Sequence, residues 1–141
     1  MKRFARLICL VMVFTLLAAI PAHAAETSAR ASDYFASYRA YVTKLSSTEL
    51  GVAFHVVCVS RMDEVGVSRI RVQRSSDGTN WTTVHTFNKS AYTNMTDTNT
   101  YSHGSTVSCS ITPGYYYRAI VDFYAKNSSG SAAHFYYTEK K

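Results

Sequence analysis

The chain has 141 residues and a formal net charge of +6 at pH 7, but three of its basic residues lie in the first six positions. Residues 25–141 carry 12 basic and 9 acidic residues, a balance too mild to favour nucleic-acid binding. The full chain is 47% hydrophobic, a composition that excludes a disordered chain. Those residues contain two leucines against fourteen valines and isoleucines, with eleven tyrosines. The composition favours a sheet over a helical bundle, because β-branched and aromatic side chains suit a pleated surface.

The N-terminal segment has the three-part pattern of a secretory signal peptide. Three cations within residues 1–6 precede a nearly continuous apolar run over residues 7–20, and Ala22-His23-Ala24 offers small residues for cleavage. The apolar run is shorter than the roughly 20 residues that cross a bilayer. We therefore expect residues 1–24 to be a cleaved signal, the protein to be secreted and extracellular, and no membrane span to remain after cleavage.

The rest of the chain predicts one domain. Residues 25–37 are small and polar and are expected to be a flexible N-terminal segment, although the aromatic stretch 33–35 is suited to packing down. The single β-sandwich domain is expected over residues 38–139. Its predicted strands, in chain order, are 38–43, 50–60, 67–74, 81–87, 105–112, 115–125 and 131–138.

Turn signals and polar stretches separate these strands. Asp77-Gly78 and residues 127–130 are typical of hairpin turns, while residues 61–66 and 88–104 are predicted to be polar loops. Seven short strands at this spacing predict an all-β fold, an antiparallel seven-stranded β-sandwich.

The two cysteines after the signal, Cys58 and Cys109, are an even pair in an exported chain. An oxidising compartment favours a disulfide between them, and alternation along their strands points both inward. The alternative is two buried free thiols, which behave as small apolar side chains. Since no histidine has ligand spacing to them, we predict no metal site.

Two stretches resemble parts of fibronectin type III domains, and so of the wider immunoglobulin-like class. Residues 70–84 (IRVQRSSDGTNWTTV) are similar to their central hairpin, and residues 112–132 (TPGYYYRAIVDFYAKNSSGSA) to their penultimate strand and final turn. The chain departs from these patterns in lacking the early-strand Trp and an Arg-Gly-Asp tripeptide, and in placing Cys109 one strand before the usual immunoglobulin position. The whole chain, including residues 31–42 (ASDYFASYRAYV), also resembles a family of short secreted bacterial proteins, a likeness that carries no activity with it.

The resembled topology implies a binding face. Along the strand over 115–125, Tyr117, Ala119, Val121 and Phe123 are predicted to point inward. The residues that alternate with them, Tyr116, Arg118, Asp122 and Tyr124, are then expected to face solvent beside the neighbouring strands. The expected face consists of Arg69, Arg71, Tyr116, Arg118, Tyr124, His134 and Tyr136. Tyrosine and arginine together offer contact area and planar hydrogen-bond donors for an unknown protein or cell-surface polymer, such as an envelope polymer. The alternative is cross-strand tyrosine–arginine pairing that only stabilises an exposed sheet.

Other functions find weaker support. The loop over 88–104 is long enough for a binding role, but Asn94, Asp97 and Asn99 lack the spacing of a calcium loop. Asp63 and Glu64 are adjacent and therefore point apart on an extended chain, and no Gly-x-Ser-x-Gly turn is present. We predict a non-catalytic domain without a cofactor. A self-associating structural domain, acting through an edge strand, is the second hypothesis.

Overall fold

The computed structural model describes residues 31–141, which form an all-β, antiparallel fold as predicted. Its elements are α1 (Ala31–Tyr34), β1 (Phe35–Lys44), β2 (Glu49–Ser75), β3 (Thr82–Asn88), a 3-10 turn (Thr93–Met95), β4 (Thr96–Ser110), β5 (Tyr116–Asn127) and β6 (Gly130–Tyr137). No helix in this part of the chain is long and apolar enough to cross a membrane. The predicted signal, residues 1–24, lies outside the described residues.

Residues 31–141 contain six strands, not the seven predicted, and the longest strand accounts for the difference. The predicted strands over 50–60 and 67–74 are one continuous strand, β2, and the predicted loop between them is its middle. Within that middle, Met62 and Val65 are fully buried while Asp63 is exposed. These two side chains anchor the segment to the core, and its pairing with β4 and β5 keeps it extended although its composition is polar.

A glycine allows β4 to pass close to this part of β2. Gly66 has a φ of 150°, which side-chain-bearing residues rarely adopt. A Cβ atom there would overlap the carbonyl oxygen of Met95, just before β4. The absence of a side chain therefore lets β2 pair with the start of β4.

The two halves of β2 have different neighbours. The first half pairs with β1 on one side and β4 on the other. The second half pairs with β5 and β3, and β6 follows beyond β5. The strands form one curled sheet, in which Tyr38 of β1 contacts Phe123 of β5 with ring centroids 5.3 Å apart.

The core lies inside this curl. Tyr117, Ala119, Val121 and Phe123, the residues predicted to point inward on β5, are each at most 1% exposed. Burial of a large apolar side chain contributes about 1.5–3 kcal/mol. The Tyr117 hydroxyl also accepts a hydrogen bond from the Thr112 amide at 2.9 Å and donates to its carbonyl at 3.2 Å. These bonds tie the start of β5 to the segment that precedes it.

The predicted turn at Asp77-Gly78 joins β2 to β3. Gly78 has a φ of 73°, and the Asp77 carboxylate accepts hydrogen bonds from the amides of Asn80 and Thr79, each at 2.8 Å. These donors stabilise the ionised carboxylate and hold its pKa well below its usual range.

Part of the segment predicted over 25–37, residues 31–37, lies in the described chain and packs against the core. Residues 31–37 form α1 and the beginning of β1, which starts at Phe35. Tyr34 and Phe35 are buried, and the Tyr34 hydroxyl donates to Asn127 at 3.5 Å. The two aromatic rings pack down because they cover apolar surface at this end of the core.

Candidate binding face

The candidate site is the side of β3, the second half of β2, β5 and β6 that points away from the core, hereafter the outer face. Five of the seven predicted residues lie on it: Arg69, Arg71, Tyr116, Arg118 and Tyr124. The same face also carries Glu64, Gln73, Trp81, Lys89, Ile120, Asp122, Lys126, Phe135 and Tyr137. Ile120 points away from the core, yet it is only 5% exposed. The long side chains around it on the outer face cover it.

Asp122 corrects the prediction that its side chain faces solvent. It is on the outer face, but it is 4% exposed and lies between two arginines. Arg69 Nε donates to Asp122 Oδ2 at 2.8 Å, and an Arg71 terminal nitrogen donates to Oδ1 at 3.1 Å. One buried carboxylate is thereby paired with two cations that remain 44% and 30% exposed at their side chains.

A second group of contacts surrounds Arg118. Its Nε donates to the Gln73 side-chain oxygen at 2.8 Å, which fixes the guanidinium plane. The guanidinium carbon lies 4.3 Å from the Trp81 ring centroid and 5.5 Å from that of Tyr137. The arginine therefore joins aromatic side chains from both flanks of the sheet.

A third group of contacts lies near the β5–β6 turn. Lys89 Nζ donates to both oxygens of Glu64, at 2.8 and 2.9 Å, and lies 4.1 Å from the Tyr124 ring centroid. Tyr124 is thus covered in part by a cation. Sequence reasoning missed Lys89, since it comes after β3 in a stretch predicted to be loop.

His134 and Tyr136 do not belong to the outer face, which corrects their predicted place. Both point inward and contact Tyr38, with ring centroids 4.6 and 6.2 Å away. The outward positions belong instead to Phe135 and Tyr137, which are 59% and 60% exposed.

The length of the β5–β6 turn determines which residues of β6 point outward, and the sequence prediction did not use it. Asn127 pairs with Gly130 across a two-residue turn, so Tyr124 faces Ala133. Alternation from Ala133 then makes the odd-numbered residues of β6 outward. Three consecutive aromatic residues over 135–137 hide this parity when the strand is considered alone.

The outer face carries an excess of positive charge. Its cations are Arg69, Arg71, Lys89, Arg118, Lys126 and Lys140, whose Nζ lies 5.1 Å from the Tyr116 ring centroid, against the two carboxylates of Glu64 and Asp122. The face therefore carries +4, more than the +3 of residues 25–141 as a whole, so the remainder of those residues is slightly negative. A negatively charged partner would be attracted to this side of the molecule.

The long polar stretch over 88–104 is only partly a loop. β4 begins at Thr96 and includes the second half of the stretch, which pairs with β2. Met95, just before β4, is fully buried. The stretch anchors an edge strand to the core through Met95. This apolar residue in a polar stretch was the sequence feature that could have predicted the anchoring.

The other polar candidates are used locally. Asn94 donates to the Ser105 hydroxyl at 3.1 Å, and Asp97 accepts the Thr98 amide at 2.7 Å. Glu64 is bound to Lys89, as described above. Across residues 31–141, no three His, Cys, Asp or Glu side chains are grouped closely enough to hold a metal ion.

The predicted disulfide is wrong: Cys58 and Cys109 are free thiols. Cys109 lies opposite Leu50 in the β2–β4 ladder, and Cys58 is eight residues further along β2. At about 3.3 Å per residue the two cysteines are roughly 26 Å apart, whereas a disulfide needs Cα atoms within about 7 Å. Burial raises the pKa of Cys58 to about 11, and burial followed by the charge of Glu49 raises the pKa of Cys109.

Comparison with protein-family models, with curated proteins and with solved structures found no match for this chain. Functional assignment therefore depends on the geometry of the outer face.

Proposed function

We propose that this chain is a secreted, non-catalytic domain that binds an acidic cell-surface polymer through its outer face. The observation that carries the proposal is the exposure of Phe135 and Tyr137, each about three-fifths open to solvent, beside a row of arginines. Binding faces are enriched in large aromatic side chains and arginine. Both side-chain types bury a large contact area for a small loss of side-chain conformational entropy.

Internal pairing accounts for part of the face but not for all of it. Asp122 neutralises Arg69 and Arg71 only partly, and Arg118 has no carboxylate among its contacts with Gln73 and the aromatic rings. The face therefore keeps positive charge that its own residues do not compensate. Cross-strand stabilisation alone would not require that excess.

An extended acidic polymer fits the shape and the charge of this surface. The strands β3, β2, β5 and β6 lie side by side, so cations and rings are spread over a broad sheet face. Sugar rings stack on aromatic side chains, and carboxylate or phosphate groups pair with arginine. An acidic protein surface is the competing partner.

The experiment is a binding array of envelope polymers and glycans that includes acidic and uncharged members, probed with the purified protein. We expect binding to acidic members that weakens with added salt. The variant Tyr116→Ser/Lys126→Gln should bind less, and the control Tyr41→Ser/Lys44→Gln, which changes exposed residues of β1, should bind normally. Equal loss in both variants, or equal binding to the acidic and the uncharged members, would contradict the proposal.

We also propose that the fold is a fibronectin type III-like sandwich in which each half of β2 serves a different layer. The packing of Tyr38 on Phe123 supports two facing layers. The bond from the Tyr117 hydroxyl to the backbone of Thr112, five residues upstream, supports it too, since immunoglobulin-like sandwiches carry such a tyrosine at this corner. A crystal structure with a closed barrel would contradict this assignment.

Export is the remaining part of the proposal. The charged, apolar and small-residue segments over residues 1–24 support cleavage after Ala24. N-terminal sequencing of the exported protein should begin at Ala25. Recovery of the intact N-terminus in a membrane fraction would contradict it.

A further inference from the structure

One edge of the sheet is left open along β6. Among residues 31–141, β6 pairs only with β5. The Thr138 amide donates to the Ala119 carbonyl at 3.0 Å, and Gly130 pairs with Asn127 at the turn. Because bonding alternates along an edge strand, the even-numbered residues bond to β5 and the odd-numbered residues turn their N–H and C=O groups outward. The outward residues are Ser131, Ala133, Phe135 and Tyr137.

This edge lacks the features that normally prevent strand addition. The sequence of β6, GSAAHFYY, contains no Lys, Arg, Asp, Glu or Pro. The other edges are modified: β1 and β3 each contain a register shift, and β4 carries Asp97 and the positive-φ residue Asn99. Since β6 is uncharged, two copies of it can approach without repulsion.

We infer that β6 pairs with β6 of a second copy of this chain, antiparallel, about a two-fold axis at His134. In this register Ser131 faces Tyr137 of the second copy, and Ala133 faces Phe135. These four positions are the ones with outward backbone groups, so every outward N–H and C=O from 131 to 137 finds a partner. A register shifted by two residues would leave outward groups at one end of each strand unpaired.

Side-chain size supports the same register. Phe135, 59% exposed, lies opposite the small Ala133 of the other copy, and Tyr137, 60% exposed, lies opposite Ser131. On the inner side Tyr136 lies opposite Ala132. Opposed Cβ atoms are about 5 Å apart in a ladder, so large-against-small pairs fill the space without overlap. The pairing joins two outer faces into one continuous surface.

Sedimentation tests the pairing over a series of protein concentrations. The native protein is expected to dimerise. Ala133→Pro should be monomeric with an unchanged near-ultraviolet spectrum and Tm, because the lost N–H points outward and is not used within one copy. Ala133→Ser keeps that N–H and is the matched control, expected to dimerise.

Phe135→Lys adds the missing edge charge and should also be monomeric, which keeps the test decisive if Ala133→Pro fails to fold. A native protein that stays monomeric at every concentration would overturn the inference. So would a dimer that persists in a folded Ala133→Pro or in Phe135→Lys.

A cross-link tests the register. His134 of one copy faces His134 of the other across the axis in a non-hydrogen-bonded pair, with Cα atoms about 4.5 Å apart. The variant His134→Cys should therefore form an intermolecular disulfide under mild oxidation. Tyr136→Cys places its two thiols four residues apart along the pair, roughly 13 Å, and should not. Equal cross-linking of both variants would contradict the proposed register.

Discussion

Arg69 and Asp122 lie directly opposite each other on β2 and β5, and the arginine Nε donates to the carboxylate at 2.8 Å. Arg71 binds the second oxygen, and the carboxylate is almost fully buried. Asp122→Ala is expected to lower the free energy of unfolding by about 2 kcal/mol, less than for a fully buried pair because both arginines reach solvent. Denaturant unfolding measures the change, with the exposed Asp63→Ala as control. Equal stability of the two variants would contradict the assigned role.

The contact between Trp81 and Arg118 should be measurable as a coupling. A double-mutant cycle with Trp81→Ala and Arg118→Ala is expected to give a coupling free energy of about 1 kcal/mol. The pair of Arg61 and Tyr101, at 5.6 Å, provides a matched and weaker control cycle. Strict additivity at Trp81 and Arg118 would mean that the stacking adds no stability.

Two neighbouring tyrosines offer a sharp comparison. Tyr117→Phe removes the hydroxyl that binds both backbone groups of Thr112, and it should cost about 1–2 kcal/mol of stability because those groups lose their partner. Tyr116→Phe, at a 45% exposed position, should leave the unfolding midpoint unchanged. A larger loss of stability in Tyr116→Phe than in Tyr117→Phe would contradict the role assigned to the Tyr117 hydroxyl.

The pKa of Cys58 gives the stability a defined pH dependence. Burial raises the pKa of this thiol from 9.0 to about 11, so the folded chain keeps its proton where the unfolded chain has lost it. The unfolded state then binds fewer protons, and the free energy of unfolding falls as the pH rises from 9 towards 11. Cys58→Ala should remove this part of the decline, and the difference between the two chains cancels the titration of tyrosines. Parallel curves would contradict the buried position of the thiol.

Local alternation predicted much of the fold. The inward set on β5 and the strand over 67–74 followed from period-two patterning, because each has one consistently apolar side. The polar composition of residues 61–66 concealed the continuity of β2. Nothing local shows that Met62 and Val65 meet apolar neighbours from other strands.

The outer face was predicted only where parity was unambiguous. Arg69, Arg71 and Arg118 alternate with clear core residues, whereas β6 presents aromatic side chains on both sides, and its parity depends on the turn. The burial of Asp122 required knowing that two arginines on β2 lie beside it. The disulfide between Cys58 and Cys109 was wrongly predicted for a similar reason. Alternation gives the direction in which a side chain points, but it does not give the position of that residue along the strand ladder.

The most direct test of the outer face is amide chemical-shift mapping during titration with an acidic envelope polymer. We predict shifts concentrated at Tyr116, Arg118, Tyr124 and Phe135, with little change at Arg39 and Tyr41 on β1. Shifts concentrated on β1 and β4, or spread evenly over the molecule, would contradict the binding role assigned to the outer face.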